Sequence, residues 1–507
     1  MGPPVIPQTT FSIHVSPFER LPLTDGGQCT VTTHFPETMD FSGFNAPSRV
    51  ECDIFDLVVE GDLPVEINGS WYRSTPDSQY PPMLGQDTYI SGDGMISMFR
   101  FENGHVDFRM RYVKTDRLKA DRAARRGLFG LYRNPYTDDP IVSGMNRCAN
   151  NTTPIYHAGK LFALKEDGLA MELDPDTLDT VGVWNYNGKL RSKTMTAHPR
   201  PDPETGELHF FGYEAAGLAT PDVSYGVADK EGRLVREEWF KVPYVSLMHD
   251  FAVTREHVIF PVFPTIAELD RIKAGGAHWV WEPSKDTYVG IMPRDRGVEQ
   301  MRWYRRPASS AFHIFNAYTE GKYVHVDLSL GKMPPFPFIQ EASHIAPSPE
   351  NMTSKVVRWT FDTSRPGDKF EEYELGPGGD LPRVAAKDGM SDYSVGYYER
   401  VDFECGPPLI AGPVGVGFNT LTRLEMKSGR HQSMHLEVPS TLQEPVHIPS
   451  KKSGHEGYLA LVADLHAENL SDVLIVEAEH IGRGPIARIK VPLRLRTQVH
   501  GNWVPSA

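Results

Sequence analysis

An all-β fold, a β-propeller whose antiparallel meanders of about four strands follow one another round an axis, is what the 507-residue sequence predicts. Two observations carry it. Gly (44 residues) and Pro (42) recur as punctuation between short β-rich runs and never pool into one linker, so the runs belong to a continuous unit. The runs alternate apolar with polar residues across tight turns. "MISMFRFENGHVDFRMRYV" does so on both sides of Asn103-Gly104, a pair type that favours a two-residue type I′ hairpin turn. No strict period is visible, so the number of blades cannot be counted from these residues.

Taken in chain order, residues 1–48 have weak patterning and read as an N-terminal arm, and 49–507 as a single propeller domain. The first hairpin is followed by Thr115 to Phe129, whose apolar residues recur at i, i+3, i+4 and which predicts a helix. "GKLFALKEDGLAMELDPDTLDTVGVWNY" resumes the strands, cut at Asp167-Gly168 and at Asp174-Pro175. "DPETGELHFFGYE", "YGVADKEGRLVREEWF" and "HDFAVTREHVIFPVF" continue the meanders, and Thr265 to Ala274 predicts a second helix with a Gly after it. Insertions of this kind on one propeller face are expected to cover the axial site.

Composition narrows the function. With 40% hydrophobic and 23% charged residues the chain is an ordinary globular protein with a large core. A net charge of -14 argues against a broad nucleic-acid face, and the short basic run Arg122 to Arg126 reads as a solvated helix face. Cys29, Cys52, Cys148 and Cys405 lack metal-module or disulfide spacing, which fits a reducing cytoplasm. The opening "MGPPVIPQTTFS" has neither a secretory pattern nor a myristoylation signal, and no apolar run approaches membrane-spanning length.

Four of the 19 histidines share a context. His198 ("TAHPRP"), His249 ("LMHDFA"), His313 ("AFHIFNAY") and His500 ("QVHGNW") each sit at the start or end of an apolar β-like run. They are scattered over some three hundred residues, which excludes a local metal finger. In a propeller, however, the innermost strands of remote blades meet at the axis, and four neutral imidazoles with no Cys nearby suit iron, copper, zinc or nickel. One such histidine alone is more often an ordinary core residue with a backbone hydrogen bond. Metal-bound imidazoles commonly give their second N–H to a carboxylate. Glu166 in "ALKEDG" and Glu444 in "LQEPVHIP" lie in apolar contexts where an unpaired carboxylate is costly to bury.

Beyond the histidines, "GDGMISMFRF", "YRNPYTDDP", "LKEDG", "TAHPRPDPETGEL", "MHDFAVT", "FHIFNAY" and "HGNWVP" together resemble the carotenoid cleavage oxygenases, and within them the branch that cleaves lignostilbenes and phenylpropenoids. The resemblance runs from about Asp53 to Pro505. It implies a seven-bladed propeller with Fe(II) on its axis, held by His198, His249, His313 and His500. It also implies carboxylates behind three of them: Glu166 and Glu444 match, and "GGDLPR" puts Asp380 where relatives carry Glu. Three accommodations of that shorter side chain stay open: a backbone that moves in, a bridging water, or a looser His313. By the same likeness Tyr132 and Lys165 grip a substrate's 4-hydroxyl, and Tyr89 packs against its ring. An ammonium and a donated hydrogen bond would favour the phenolate, which enriches the conjugated alkene in electrons.

The expected activity is therefore that of a non-haem Fe(II) dioxygenase splitting the exocyclic C=C bond of 4-hydroxyphenyl alkenes, of the isoeugenol, 4-vinylguaiacol or hydroxystilbene type, with O2 to give aromatic aldehydes such as vanillin. Its partners would be that small phenolic alkene and O2, with no nucleic acid and no stable membrane insertion, in a monomer or homodimer. Two rivals stand beside it. A carotenoid or apocarotenoid oxygenase would use the same iron but has no use for a phenol grip at Tyr132 and Lys165; a metal-binding interaction scaffold would have no need of an open axis.

Overall fold

The computed structural model describes residues 33–342 and 353–506. Residues 1–32 of the expected arm, with Cys29, lie outside the described residues. Seven antiparallel sheets form a seven-bladed propeller. Blades 2 to 6 are four-strand meanders in chain order: Thr153–His157 to Thr180–Trp184, Arg200–Pro201 to Leu234–Lys241, Ala252–Val253 to Arg302–Arg306, Ile314–Glu320 to Glu371–Pro377, and Asp380–Arg383 to His431–Met434. Blades 1 and 7 exchange strands. Val59–Gly61 pairs with Ala487–Val491 in blade 7, while His500–Pro505 pairs with Gly69–Pro76 in blade 1.

The burial pattern explains why some strands read as unbroken apolar runs. Tyr458–Leu465 is buried at every residue because a blade lies on each side of it. Tyr458, Ala460 and Val462 face Trp71 and Phe99 of blade 1; Leu459, Leu461 and Ala463 face Leu421 and Met434 of blade 6. Successive side chains of a strand point to opposite faces, so one sequence stretch serves two cores. Each fully buried Leu or Val there contributes about 1.5–3 kcal/mol. The outer strand His105–Tyr112 instead alternates buried and partly exposed residues. It joins Gly94–Glu102 through Asn103 (φ 52°) and Gly104 (φ 86°), the expected type I′ turn.

Both helices are shorter than the sequence suggests. The first, α1, spans Asp116–Ala124 and is capped by Thr115, whose hydroxyl accepts the Leu118 N–H at 3.1 Å. It stops early because Arg125 turns left-handed (φ 55°), and Leu128 and Phe129 then form an apolar cluster of their own with Val142. The second, α2, is only Leu269–Lys273. Thr265 and Ile266 pair with Trp281 and Val280 as a two-stranded ribbon, so tertiary pairing overrides the local helical period. Of the basic run, Arg122 bonds Gln79 at 2.8 Å and Arg126 bonds Asp139 at 2.6 Å. Among the described residues Cys52, Cys148 and Cys405 are free, and no helix is long and apolar enough to cross a membrane.

Candidate metal centre and substrate cavity

The propeller places the four histidines at equivalent points of four blades. His198 lies two residues before Arg200–Pro201, His249 three before Ala252–Val253, His313 one before Ile314–Glu320, and His500 opens His500–Pro505. These are the first or innermost strands of their sheets, so ring nitrogens separated by hundreds of residues come within 4.8 Å of one another. The Nε2 atoms of His198 and His249 are 3.0 Å apart, and those of His249 and His313 3.1 Å.

Three carboxylates stand behind them. Glu166 lies 2.8 Å from His249 Nδ1, Asp380 2.8 Å from His313 Nδ1, and Glu444 2.7 Å from His500 Nδ1. Burial alone raises the Glu166 carboxyl, but His249, Arg133 and Lys165 bring it down to about 2. Burial opposes ionisation of Glu444 too, and Arg383 and His500 outweigh it. Ionised carboxylates accept only, so each Nδ1 donates its proton and each Nε2 keeps a lone pair. His249 and His313 thus aim two lone pairs at each other across 3.1 Å, an arrangement that a cation between them relieves. His500 Nε2 is buried with no hydrogen-bond partner. Burial holds His500 down to about 4, against the pull of Glu444, and burial plus its three neighbours presses His198 well below the usual imidazole range. Neutral, converging and partly orphaned nitrogens fit a borderline metal ion such as iron.

Asp380 reaches His313 directly because the backbone has moved in. A Cβ on Gly378 would fall 2.0 Å from Ser354 O, and one on Gly379 2.2 Å from Glu399 O, so only glycines allow this approach. The pairing with the next strand then shifts register between Asp380 and Arg383, and Leu381 adopts φ 55°.

Beside the histidines lies a cavity of about 90 Å³, room for several waters. Tyr132, Lys165 and Glu166 line one end; Phe312, Phe336, Phe338, Leu381 and Val416 make apolar walls. Lys165 is the single cationic side chain among the described lining residues, with its ammonium 5.2 Å from the centre of the Tyr132 ring. It donates to Ile90 O at 2.8 Å and Asn151 Oδ1 at 3.2 Å, both neutral acceptors, which leaves one N–H. Burial lowers its pKa, opposed by Asp167, Cys148 and Glu166. Burial and Glu166 push the Tyr132 phenol well up, so it remains a neutral donor. The loop carrying it is braced by the α2 insertion, where Asn134 donates to Ile272 O at 2.9 Å and Gly276 O at 2.7 Å.

Tyr89 departs from expectation. It is not among the described lining residues; its hydroxyl donates to Thr497 O and its ring lies under Arg496, 4.2 Å from the guanidinium carbon. Its neighbour Ile90 faces the cavity instead. A one-residue step along the backbone turns a side chain to another side, and the resemblance points one position too early.

The family model described as RPE65, retinal pigment epithelial membrane protein, matches residues 45–505. The chain belongs to this family of carotenoid oxygenases. An isoeugenol monooxygenase of Pseudomonas nitroreducens is 42% identical to it over 463 residues, 90% of this chain and 96% of the relative. A lignostilbene-alpha,beta-dioxygenase isozyme III of Sphingomonas paucimobilis is 38% identical over 483 residues, 94% of this chain and 98% of the relative. The crystal structure of Pseudomonas brassicacearum lignostilbene dioxygenase superposes with a TM-score of 0.90 at 39% identity, covering 94% of this chain and all of that one. The relatives are oxygenases, and so is this protein.

Several residues of this oxygenase's site carry no sequence signal. Arg383 donates to Glu444 Oε2 and to Gly501 O, both at 2.6 Å, from a strand that reads as a loop. Asn45, in the turn Gly43–Asn45, donates to Gly412 O at 2.9 Å and so fixes a cavity wall from the N-terminal side. A second grouping, Asp202, Glu207 and His209, has metal-like spacing, but Arg255 and Arg294 already neutralise Asp202 at 2.6 and 2.7 Å.

Proposed function

We propose that this carotenoid-oxygenase-family enzyme is a non-haem Fe(II) dioxygenase that cleaves the exocyclic C=C bond of 4-hydroxyphenyl alkenes, with isoeugenol, 4-vinylguaiacol and hydroxystilbenes as the substrate class and an aromatic aldehyde such as vanillin as one product. The observation that carries this reading is a single buried ammonium, Lys165, beside Tyr132, at one end of an otherwise apolar cavity that also reaches His249 and His313. The names of the relatives, isoeugenol monooxygenase and lignostilbene dioxygenase, support the same class.

His198, His249, His313 and His500 would hold the iron, with Glu166, Asp380 and Glu444 fixing three of the rings. Ferrous iron supplies the activation of O2. The protein does the rest: it grips one end of the substrate, holds its alkene beside the histidine cluster, and keeps water from the apolar walls. Lys165 and Tyr132 bind the 4-oxygen as an anion, because the cation and the donated hydrogen bond both stabilise the charged form. That anion feeds electron density through the ring into the alkene.

The test is aerobic turnover of the iron-loaded protein with isoeugenol, 4-vinylguaiacol, 4-hydroxystilbene and an apocarotenal, with aldehydes separated by chromatography. Cleavage of phenolic alkenes and not of the apocarotenal is expected; preferential cleavage of the polyene overturns the reading.

A further inference from the structure

Next to Tyr132, Arg133 is the centre of a buried ion network that the expected chemistry leaves without a role. Its side chain is 4% exposed. One Nη donates to Tyr213 Oη at 2.7 Å, and the other donates to Glu214. The guanidinium lies over the rings of Tyr213 and Trp279, at 5.1 and 5.2 Å. Glu214 also accepts the Ala219 N–H at 2.6 Å and meets His278 at 3.1 Å, and His278 returns to Arg133 O at 2.9 Å. Both ends of the ion pair have left-handed backbone, Arg133 at φ 55° and Glu214 at φ 50°. Two non-glycine residues in that region, each costing of order 1–3 kcal/mol, persist only where the surroundings hold them there, and such residues cluster at functional sites.

The network touches the site twice. Arg133 Nη1 is 4.0 Å from Glu166 Oε1, and the other oxygen of Glu166 meets His249. The same guanidinium hydrogen-bonds the Tyr132 hydroxyl. A guanidinium has five N–H donors and no acceptor, whereas a phenol hydroxyl has one proton and two lone pairs. Where Arg133 meets Tyr132, the tyrosine oxygen can only accept.

We propose that Arg133 is a positioning residue that turns the Tyr132 O–H into the cavity, so that Tyr132 and the remaining N–H of Lys165 present two donors, and no acceptor, to the substrate's 4-oxygen. A phenolate, which only accepts, satisfies that pair; a phenol has a proton with nowhere to go. On binding, the substrate's O–H bond breaks and its proton passes to solvent. This rests on the phenol-grip reading above.

The experiment uses iron-loaded protein under nitrogen with 4-hydroxystilbene as the probe. The ultraviolet spectrum reports how much bound ligand is ionised, and elemental analysis and a thermal melt report integrity. Arg133→Met alone strands Glu214, so the charge-matched Arg133→Met/Glu214→Gln variant is compared, together with Arg133→Lys. The matched variant is expected to keep its iron and its melt, lose most of the phenolate band, and shift the rising limb of its pH–rate profile upward by about one unit, a tenfold loss at neutral pH. Arg133→Lys should recover part of the band. In a Tyr132→Phe background the Arg133 change should do nothing further. A full phenolate band in the matched variant, or in Arg133→Lys should the matched variant not fold, overturns the role of Arg133. If wild type shows no phenolate, or Lys165→Met keeps it, the phenol-grip reading falls and this inference falls with it.

Discussion

Arg200 holds both carboxylate oxygens of Asp250 at 2.6 Å. The same carboxylate accepts the N–H of Phe251 at 2.8 Å and of Ile314 at 2.9 Å. Arg200 follows His198 by two residues, Asp250 follows His249 by one, and Ile314 follows His313 by one, so a single buried side chain ties the starts of three innermost strands. Asp250→Ala leaves a guanidinium and two N–H groups unanswered and should cost about 3–5 kcal/mol, with loss of bound metal. Asp250→Asn, which keeps an acceptor, should cost less. An unaltered melt for Asp250→Ala would exclude the tie.

Alanine at any of His198, His249, His313 or His500 is expected to remove the bound iron and all turnover, since each contributes one of four converging nitrogens. Iron content by elemental analysis checks this. Full iron with full activity in His500→Ala would sink the assignment.

Asp380→Glu is expected to harm the site even though relatives carry Glu there. The strand has already closed up on its two glycines, and Asp380 meets His313 at 2.8 Å, so an extra methylene has no room. Orienting partners of this kind are worth about 10- to 100-fold in metal affinity or activity. Unchanged iron affinity in a chelator titration would show that the strand relaxes freely.

Lys165→Met and Tyr132→Phe should each retain iron and lose about 10² to 10⁴ in rate on a 4-hydroxy alkene, the range for positioned acid–base groups. The 4-methoxy analogue should be a poor substrate for wild type. Equal cleavage of phenol and methyl ether by wild type would refute phenolate activation.

Acid should loosen the contact between blades 3 and 4. Asp202 bonds Arg294 at 2.7 Å and Arg255 at 2.6 Å, and although burial raises its carboxyl, Arg294 and local N–H groups depress it far below the usual range. Its folded value lies below the unfolded one, so its stabilisation is complete above about pH 4 and is lost as the pH falls further. Asp202→Asn should therefore unfold more easily than wild type at pH 7, and the gap should narrow in acid. A gap that stays constant with pH would assign the effect to packing.

What could be read from the residues followed from burial. The strands sandwiched between blades appear as apolar runs, and each histidine announces itself by interrupting one, as His249 does between Met248 and Phe251. The seven-fold count could not be read, because the blades carry different insertions and two of them borrow strands from the far end of the polypeptide. Arg133, Arg200 and Arg383 were invisible for a different reason. A buried arginine and a solvated one look alike in sequence, and their partners Glu214, Asp250 and Glu444 lie 50 to 81 residues away. Tyr89 shows the opposite hazard, since a motif placed it near the site while the local turn gave the cavity to Ile90.

His500 opens the strand that fastens blade 1, and the carboxylate behind it, Glu444, belongs to blade 7. During translation His198, His249 and His313 leave the ribosome long before that strand exists. The fourth imidazole arrives only with the clasp, so finishing the ring and finishing the nitrogen set are one event. A growing polypeptide is thereby kept from displaying a completed, oxygen-reactive centre before its walls are shut, and metal uptake becomes a receipt for a fully made protein.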